Sequence, residues 1–101
     1  MSMDREDREA VRVARALGEP TRFELLRCIA GRGETCCRDL TDLLRLSQAT
    51  VSHHLRILAE AGLVASRRAG QFSYFRVRPE ALRACRRSLA RAFTGRREAR
   101  P

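Results

Sequence analysis

Two adjacent cysteines, Cys36 and Cys37, are the residues of this sequence with the clearest chemical potential. They stand in the stretch TCCRDL, a short distance before a second polar stretch, SQATVSHHL. The pattern places both thiols at the start of a predicted helix, where free backbone N–H groups favour the nucleophilic thiolate. Thiolates bind soft metal and metalloid ions and exchange with disulfides. The pair therefore predicts a sensor of a thiol-reactive species.

A soft ion bound by Cys36 and Cys37 needs a third sulfur, and only Cys28 and Cys85 remain to supply it. The competing interpretation is packing, because a free cysteine behaves as a small hydrophobic residue. A reversible oxidative or reactive-sulfur switch is the other sensor chemistry. A direct bond between Cys36 and Cys37 would close a strained ring. All three interpretations are compatible with the sequence.

The charge of the chain points to an anionic partner. The formal net charge is +9, from 21 Lys+Arg against 12 Asp+Glu, and every one of those cations is an arginine. Guanidinium groups bind phosphates in a planar, bidentate geometry. We therefore expect nucleic acid as the partner, with a merely soluble basic surface as the alternative.

Length and composition predict one folded unit. The 101 residues are 44% hydrophobic, which is normal for a globular domain, but a domain of this size buries only a modest core. We expect a single domain over residues 1–101, with flexible ends at about 1–5 and 95–101, that associates as a dimer. The sequence shows no apolar run long enough for a membrane span and no signal peptide, so a cytoplasmic location is expected.

Four helices are predicted before residue 62. The first runs from about Glu6 to Leu17, and the second opens at Pro20 and ends near Gly31 and Gly33. The second has apolar residues on most sides, which predicts a central position in the core: Phe23, Leu25, Leu26, Ile29 and Ala30. A third helix is expected from an N-cap at Thr35 to Leu44, with Leu40, Leu43 and Leu44 facing inward.

A fourth helix is predicted from an N-cap at Ser47 to Ala61, with Val51, Leu55 and Leu58 on its inner face. The third and fourth helices, joined by a tight turn, make a helix-turn-helix. The segments LVASRR and QFSYFRV then predict a β-hairpin with an arginine-bearing tip. Pro79 opens a last helix.

This order of elements is that of a winged helix-turn-helix, a mainly α fold with a small β-hairpin. The stretches ALGEPTRFELLRCIA, SQATVSHHLRILAEAGLV and RRAGQFSYFRV resemble the ArsR/SmtB family of bacterial metal- and thiol-responsive repressors. The resemblance covers roughly residues 10 to 93. It implies a homodimer, formed through the first and last helices, that binds a palindromic operator and leaves it when an inducer is sensed.

Apolar residues on the first and last helices agree with a dimer seam. In the last helix they recur at helical spacing opposite a row of arginines, which suits pairing across a twofold axis. Packing within the chain's own domain is the alternative. The residues expected at the interface are Val11, Ala14, Leu82, Cys85, Leu89 and Phe93.

The fourth helix is expected to enter the major groove of DNA with its outward side chains, and the hairpin tip resembles the family's minor-groove or backbone contact. The predicted DNA contacts are Ser47, Gln48, Thr50, Ser52, His53, Arg56, Arg67, Arg68 and Gln71. His54 borders the inner face and is expected to be a hydrogen-bonded structural residue. His53 and His54 point about 100° apart on a helix, so they do not share one metal.

The cysteine pair stands where the arsenic-responsive branch of this family has Cys-Val-Cys-Asp-Leu. Here the segment is Cys36-Cys37-Arg38-Asp39-Leu40, so the first cysteine matches while Arg38 occupies the second ligand position. The resemblance implies As(III) or Sb(III) as the inducer, and no cofactor is needed for DNA binding. The family's zinc- or cobalt-type ligands are missing from the last helix.

Two other classes of function agree less well with the sequence. A non-sensing protein that coats DNA would share the charge, but it would not need a helix with distinct polar positions or an ordered wing. An enzyme is disfavoured because the chain shows no orienting acid or pocket beside its Cys and His residues.

Overall fold

A computed structural model describes residues 3–94. The elements in chain order are α1 (Arg5–Leu17), α2 (Pro20–Arg32), β1 (Thr35–Cys36), α3 (Cys37–Leu44), α4 (Gln48–Glu60), β2 (Val64–Ala69), β3 (Phe72–Val77) and α5 (Pro79–Phe93). The predicted frayed tail at 95–101 lies outside the described residues, as do residues 1 and 2. Asp4 caps α1, so the helix begins inside the end expected to be flexible. Within residues 3–94, no helix is both long and apolar enough to cross a bilayer.

Side-chain caps and proline fix where the helices start. Asp4, Glu19 and Ser47 each accept a hydrogen bond from a backbone N–H in the first turn of α1, α2 and α4. Pro20 stands in the first turn of α2, where its missing N–H is not required. Pro20 and the Ser47 cap were predicted from the sequence, whereas the caps at Asp4 and Glu19 were not.

The third helix starts one residue later than predicted. Thr35 is not its N-cap: Thr35 and Cys36 form β1, which pairs antiparallel with β3 through Thr35↔Phe75 and Cys36↔Tyr74. The Thr35 hydroxyl donates to the Gly33 carbonyl at 3.0 Å, and no side chain caps α3. The sheet therefore has three strands, in the order β1-β3-β2, instead of the two expected of a simple hairpin. Cys36 occupies the N-cap position without a side-chain cap.

The core lies between α2, α3, α4 and the inner face of the sheet. Its fully buried large side chains are Leu25, Ile29, Leu40, Val51, Leu55, Leu58 and Leu63. Three side chains that were expected in the core, Leu43, Phe23 and Ala30, are exposed. Leu43 is 48% exposed because Leu40 and Leu44 take the inner stripe of the short α3 and leave Leu43 at its edge. Phe23 is 50% exposed because α2 buries the face that carries Leu25 and Ile29.

Helices α1 and α5 pack against each other beside this core. The buried residues of α1 are Ala10, Val13 and Ala16, and those of α5 are Cys85 and Ser88. Val11 and Ala14, which were predicted to lie at a dimer interface, are on a second face of α1 that is exposed. The pair α1–α5 thus forms one layer whose outer side still carries apolar residues.

Candidate nucleic-acid interface and thiol pair

Helix α4 presents a polar face to solvent. The Ser47 hydroxyl oxygen accepts from the Thr50 backbone N–H at 3.1 Å and so fixes the first turn. Burial of Val51, Leu55 and Leu58 fixes the rotation of the helix about its axis. The exposed side chains of α4 are Gln48, Ala49, Ser52, His53, Arg56, Ala59 and Glu60, whereas Thr50, also predicted to contact DNA, is half-buried. An amide, a hydroxyl and a guanidinium on one face provide the donors and acceptors that read base edges.

The turn before α4 contains a residue in the left-handed backbone conformation. Arg45 has φ 56° at the C-cap of α3, an uncommon conformation for a residue other than glycine. Its backbone N–H donates to the Thr41 carbonyl, and the Leu46 N–H reaches the same carbonyl at 3.3 Å. The chain therefore reverses in a short turn between α3 and α4. This turn orients α4 relative to α3 in the helix-turn-helix.

The wing is a tight hairpin with two exposed polar residues beside its turn. Ala69 pairs with Phe72, and Gly70 has φ 63°, a conformation that favours glycine. Gln71 is the second residue of the turn and Arg68 lies in β2 one residue before Ala69, and both are exposed. Arg67 differs from its neighbour because its guanidinium is bound by Glu34 and lies over the Tyr74 ring, with 5.0 Å between the guanidinium carbon and the ring centroid. Arg68 is thus the wing arginine next to the turn, while Arg67 is already paired.

A groove of about 750 Å³ separates α4 from the wing. Five predicted DNA-contact residues line it: Gln48, Ser52, Arg56, Arg68 and Gln71. The remaining four, Ser47, Thr50, His53 and Arg67, are not in its lining. Arg38 also faces the groove, which the sequence reading did not assign to DNA. The sequence signal that could have assigned Arg38 to this surface was its position directly after the two cysteines in a strongly basic chain.

Both cysteines of the pair line the same groove. Cys36 is buried, at 7% exposure, and its backbone belongs to β1. Cys37 is half-buried, and its Sγ lies 3.8 Å from the Ser52 Oγ of α4. The thiol segment is therefore joined to the wing through β3 and to α4 through Ser52.

The other two cysteines do not complete a metal site with this pair. The described part of the chain contains no group of three or more Cys, His, Asp or Glu side chains that could hold a metal ion. Cys85 is buried against α1, where its Sγ donates to the Ala10 carbonyl at 3.5 Å, and burial raises the pKa of this thiol. Cys28 packs at the edge of the core. Neither cysteine supplies the expected third sulfur within one chain.

The two histidines of α4 have different surroundings. His53 is exposed, whereas His54 is half-buried, with its Nδ1 3.3 Å from an Arg22 Nη1. Because arginine only donates, Nδ1 of His54 is the acceptor in this hydrogen bond. Arg22 also donates to the Ala16 carbonyl at 2.7 Å, and its backbone N–H lowers the pKa of Glu19. His54 therefore links α4 to the start of α2, the structural role expected of it.

Comparisons with known proteins agree with this geometry. A family model described as "Bacterial regulatory protein, arsR family" matches residues 19–66, which run from the cap of α2 into β2. The arsenic resistance transcriptional regulator ArsR1 of Pseudomonas putida is 44% identical over 68 residues, which is 67% of this chain and 53% of that protein. This chain therefore spans about half the length of that relative.

Solved structures extend the likeness over most of the chain. An ArsR-like transcriptional regulator from a Rhodococcus species is 31% identical, covers 91% of this chain and 88% of its own, and superposes with a TM-score of 0.78. A homodimeric winged helix-turn-helix DNA-binding domain from Mycobacterium bovis is 26% identical with a TM-score of 0.71. It covers 91% of this chain and 88% of its own. The similarity thus includes α1 and α5 as well as the central motif.

Proposed function

The chain belongs to the bacterial arsR family of regulatory proteins, and we propose that it is a homodimeric repressor released from its operator by a thiol-reactive inducer. Its relatives are DNA-binding transcriptional regulators, and the chain is a regulator of this kind and not an enzyme. One observation carries the proposal: the thiol pair lines the same groove as the DNA-reading side chains of α4 and the wing. Residues 1–101 act as a single DNA-binding domain, located in the cytoplasm with the chromosome.

The charge and shape of the groove support DNA binding. Arg56 on α4 and Arg68 on the wing stand on opposite walls, as required to hold phosphates on both sides of a major groove. Gln48 and Ser52 lie on α4 with Arg56, and all three line the groove, where the two polar side chains can bond base edges. The proposed contacts remain Ser47, Gln48, Thr50, Ser52, His53, Arg56, Arg67, Arg68 and Gln71. Two copies related by a twofold axis then read a palindromic operator.

Exposed apolar residues support dimerisation through α1 and α5. Val11 and Leu89 are each 40% exposed and Phe93 is 78% exposed, all on the layer formed by these two helices. Large apolar side chains grouped on one face are covered in a stable assembly. The M. bovis domain of similar fold is described as homodimeric. Cys85, which was expected at the interface, is buried against α1 of its own chain. The proposed interface therefore consists of Val11, Ala14, Leu82, Leu89 and Phe93.

The inducer we propose is arsenite or antimonite, bound through Cys36 and Cys37. A relative 44% identical to this chain is named an arsenic resistance regulator, and both sulfurs stand at the base of α3. Drawing the two sulfurs onto one ion shifts β1 and the first turn of α3. Because Cys37 contacts Ser52, the shift moves α4 against the wing. A hundredfold loss of operator affinity corresponds to about 2.7 kcal/mol of coupling, within the usual allosteric range.

Operator release measured by fluorescence anisotropy tests this proposal. The wild type and the variants Cys36→Ser and Cys37→Ser are titrated with arsenite, and separately with peroxide and persulfide. Cys28→Ser and Cys85→Ser serve as controls. We expect arsenite to release the wild type and both controls but neither variant of the pair. Release by oxidants alone would move the assignment to redox or reactive-sulfur sensing, and equal affinity for operator and random DNA would favour the coating protein.

A further inference from the structure

The charged side chains that line the groove between α4 and the wing are all positive. Three arginines line it, Arg38, Arg56 and Arg68, and among the described residues no Asp or Glu does. Its volume of about 750 Å³ is in the range of small-molecule sites, and half-buried Phe72 and Phe75 add apolar surface to its wall. Cys37 opens onto this space. A half-buried thiol in a groove that three arginines line is suited to a ligand that is both anionic and reactive towards thiols.

We propose that the groove binds an anionic low-molecular-weight disulfide, of the kind formed by carboxylate-bearing cellular thiols, and that Cys37 is the residue it modifies. The inference rests on the proposed DNA-binding function only for its regulatory consequence. The site itself is defined by the arginines and the thiol. It requires neither a third sulfur nor a metalloid ion.

The reaction is a thiol–disulfide exchange. The Cys37 thiolate attacks one sulfur of the bound disulfide RS–SR, the S–S bond of the ligand breaks, and a mixed disulfide Cys37–S–S–R forms. The second half leaves as a thiolate RS⁻ and takes a proton from water. The Cys37 sulfur is oxidised while the departing sulfur is reduced. An excess of the thiol RSH reverses the step.

Burial distinguishes Cys37 from the other cysteines. Cys36 is 7% exposed and Cys85 8%, which leaves little room for the in-line approach of a disulfide. Cys28 is half-buried like Cys37 but is outside the lining of the groove. Since a bond between Cys36 and Cys37 is strained, Cys36 does not readily displace the adduct. The mixed disulfide on Cys37 is therefore the expected product.

The adduct and DNA exclude each other. Cys37 Sγ lies 3.8 Å from the Ser52 hydroxyl, so a group attached to it projects among the side chains that read the bases. Its carboxylates take the guanidinium groups of Arg56 and Arg68 that otherwise hold phosphates. Modification therefore lowers operator affinity, and bound operator shields Cys37 from modification by the same factor at equilibrium.

The test is the rate of mixed-disulfide formation, followed by mass spectrometry on the reduced full-length protein in the absence of DNA. Oxidised glutathione is the anionic probe and cystamine is the cationic one. Each rate is divided by the rate for the same protein unfolded in urea, which removes intrinsic differences between the probes. We expect the normalised rate to be roughly tenfold higher for oxidised glutathione, because a cationic cleft concentrates anions.

Matched variants locate the effect. Arg38→Gln/Arg68→Gln should remove most of the preference, whereas Arg83→Gln/Arg86→Gln makes the same charge change on exposed positions of α5, outside the groove, and should keep it. Cys37→Ser should abolish the adduct and Cys36→Ser should retain it. The proposal would be overturned if the two probes gave equal normalised rates. It would also be overturned if both arginine double variants lost the preference for oxidised glutathione equally, or if the adduct still formed in Cys37→Ser.

Failure of this proposal is distinguishable from failure of the repressor function. The rates are measured without DNA, so an operator that does not respond to arsenite leaves them unchanged. Repeating the reaction with saturating operator duplex is expected to slow Cys37 modification, because the bound duplex covers the groove. Unchanged rates with the duplex bound would show that the groove is not the DNA-binding surface.

Discussion

The Glu34 carboxylate holds the Arg67 guanidinium through two hydrogen bonds of 2.8 Å, from Nε to Oε2 and from Nη2 to Oε1. Glu34 precedes β1 and Arg67 lies on β2, so the pair joins the two outer strands of the sheet. Tyr74 of the central β3 is opposite both Cys36 and Arg67 in the strand register, and its ring lies under the guanidinium. These contacts connect the wing to the segment that carries Cys36 and Cys37.

This pairing predicts a pH dependence of stability. The hydrogen bond from Arg67 lowers the pKa of Glu34 below its ordinary 4.5. Its contribution is therefore fully present above the ordinary pKa and is lost as the pH falls through the lower, folded pKa. We expect Glu34→Gln to lower Tm at neutral pH and to converge with the wild type in strong acid. Thermal unfolding followed by circular dichroism measures both, and Glu80→Gln, an exposed carboxylate on α5, is the control.

Phosphate contacts predict a specific change in salt dependence. Removing one contact lowers the slope of log K against log salt concentration by about 0.9. Arg56→Gln and Arg68→Gln should each weaken operator binding and flatten this slope, while Arg83→Gln on α5 should not. Anisotropy titrations at several salt concentrations give the slopes. Unchanged slopes in both groove variants would remove these arginines from the DNA interface.

The dimer seam predicts a selective effect of charge. Leu89→Arg places a guanidinium among the exposed apolar side chains of α1 and α5 and should yield monomers at micromolar concentration. Leu43→Arg is the matched control, because Leu43 is similarly exposed, at 48% against 40%, but lies on α3. Sedimentation equilibrium distinguishes the two. A wild type that is monomeric at this concentration would refute the seam.

The different burial of two leucines in α3 predicts that their substitution by alanine lowers the free energy of unfolding by different amounts. Leu40 is 0% exposed and Leu43 is 48% exposed. Leu40→Ala should cost about 2–5 kcal/mol, because it removes buried methyl groups and leaves a cavity. Leu43→Ala should stay within about 0.5 kcal/mol of the wild type. Urea unfolding at matched protein concentration gives both free energies, and similar costs would contradict the burial of this helix.

Much of the fold was determined locally and was therefore readable from the sequence. Pro20, Ser47 and the inner stripe of α4 fixed helix starts and faces, because caps and helical periodicity act over a few residues. The same periodicity set Ala49, His53, Arg56 and Glu60 outward, and all four are exposed. The family resemblance was confirmed by the matches to arsR-family proteins.

Contacts between distant segments were decided only by the tertiary structure. Thr35 became a strand residue because β3 offered it a backbone partner some forty residues away, a choice that outweighs its local tendency to cap a helix. Pairing of Arg67 with Glu34, and the positions of Cys37 beside Ser52 and of Cys85 beneath Ala10, likewise depend on how the elements pack. Local sequence determines which face a side chain occupies, whereas the neighbours that it meets depend on long-range packing.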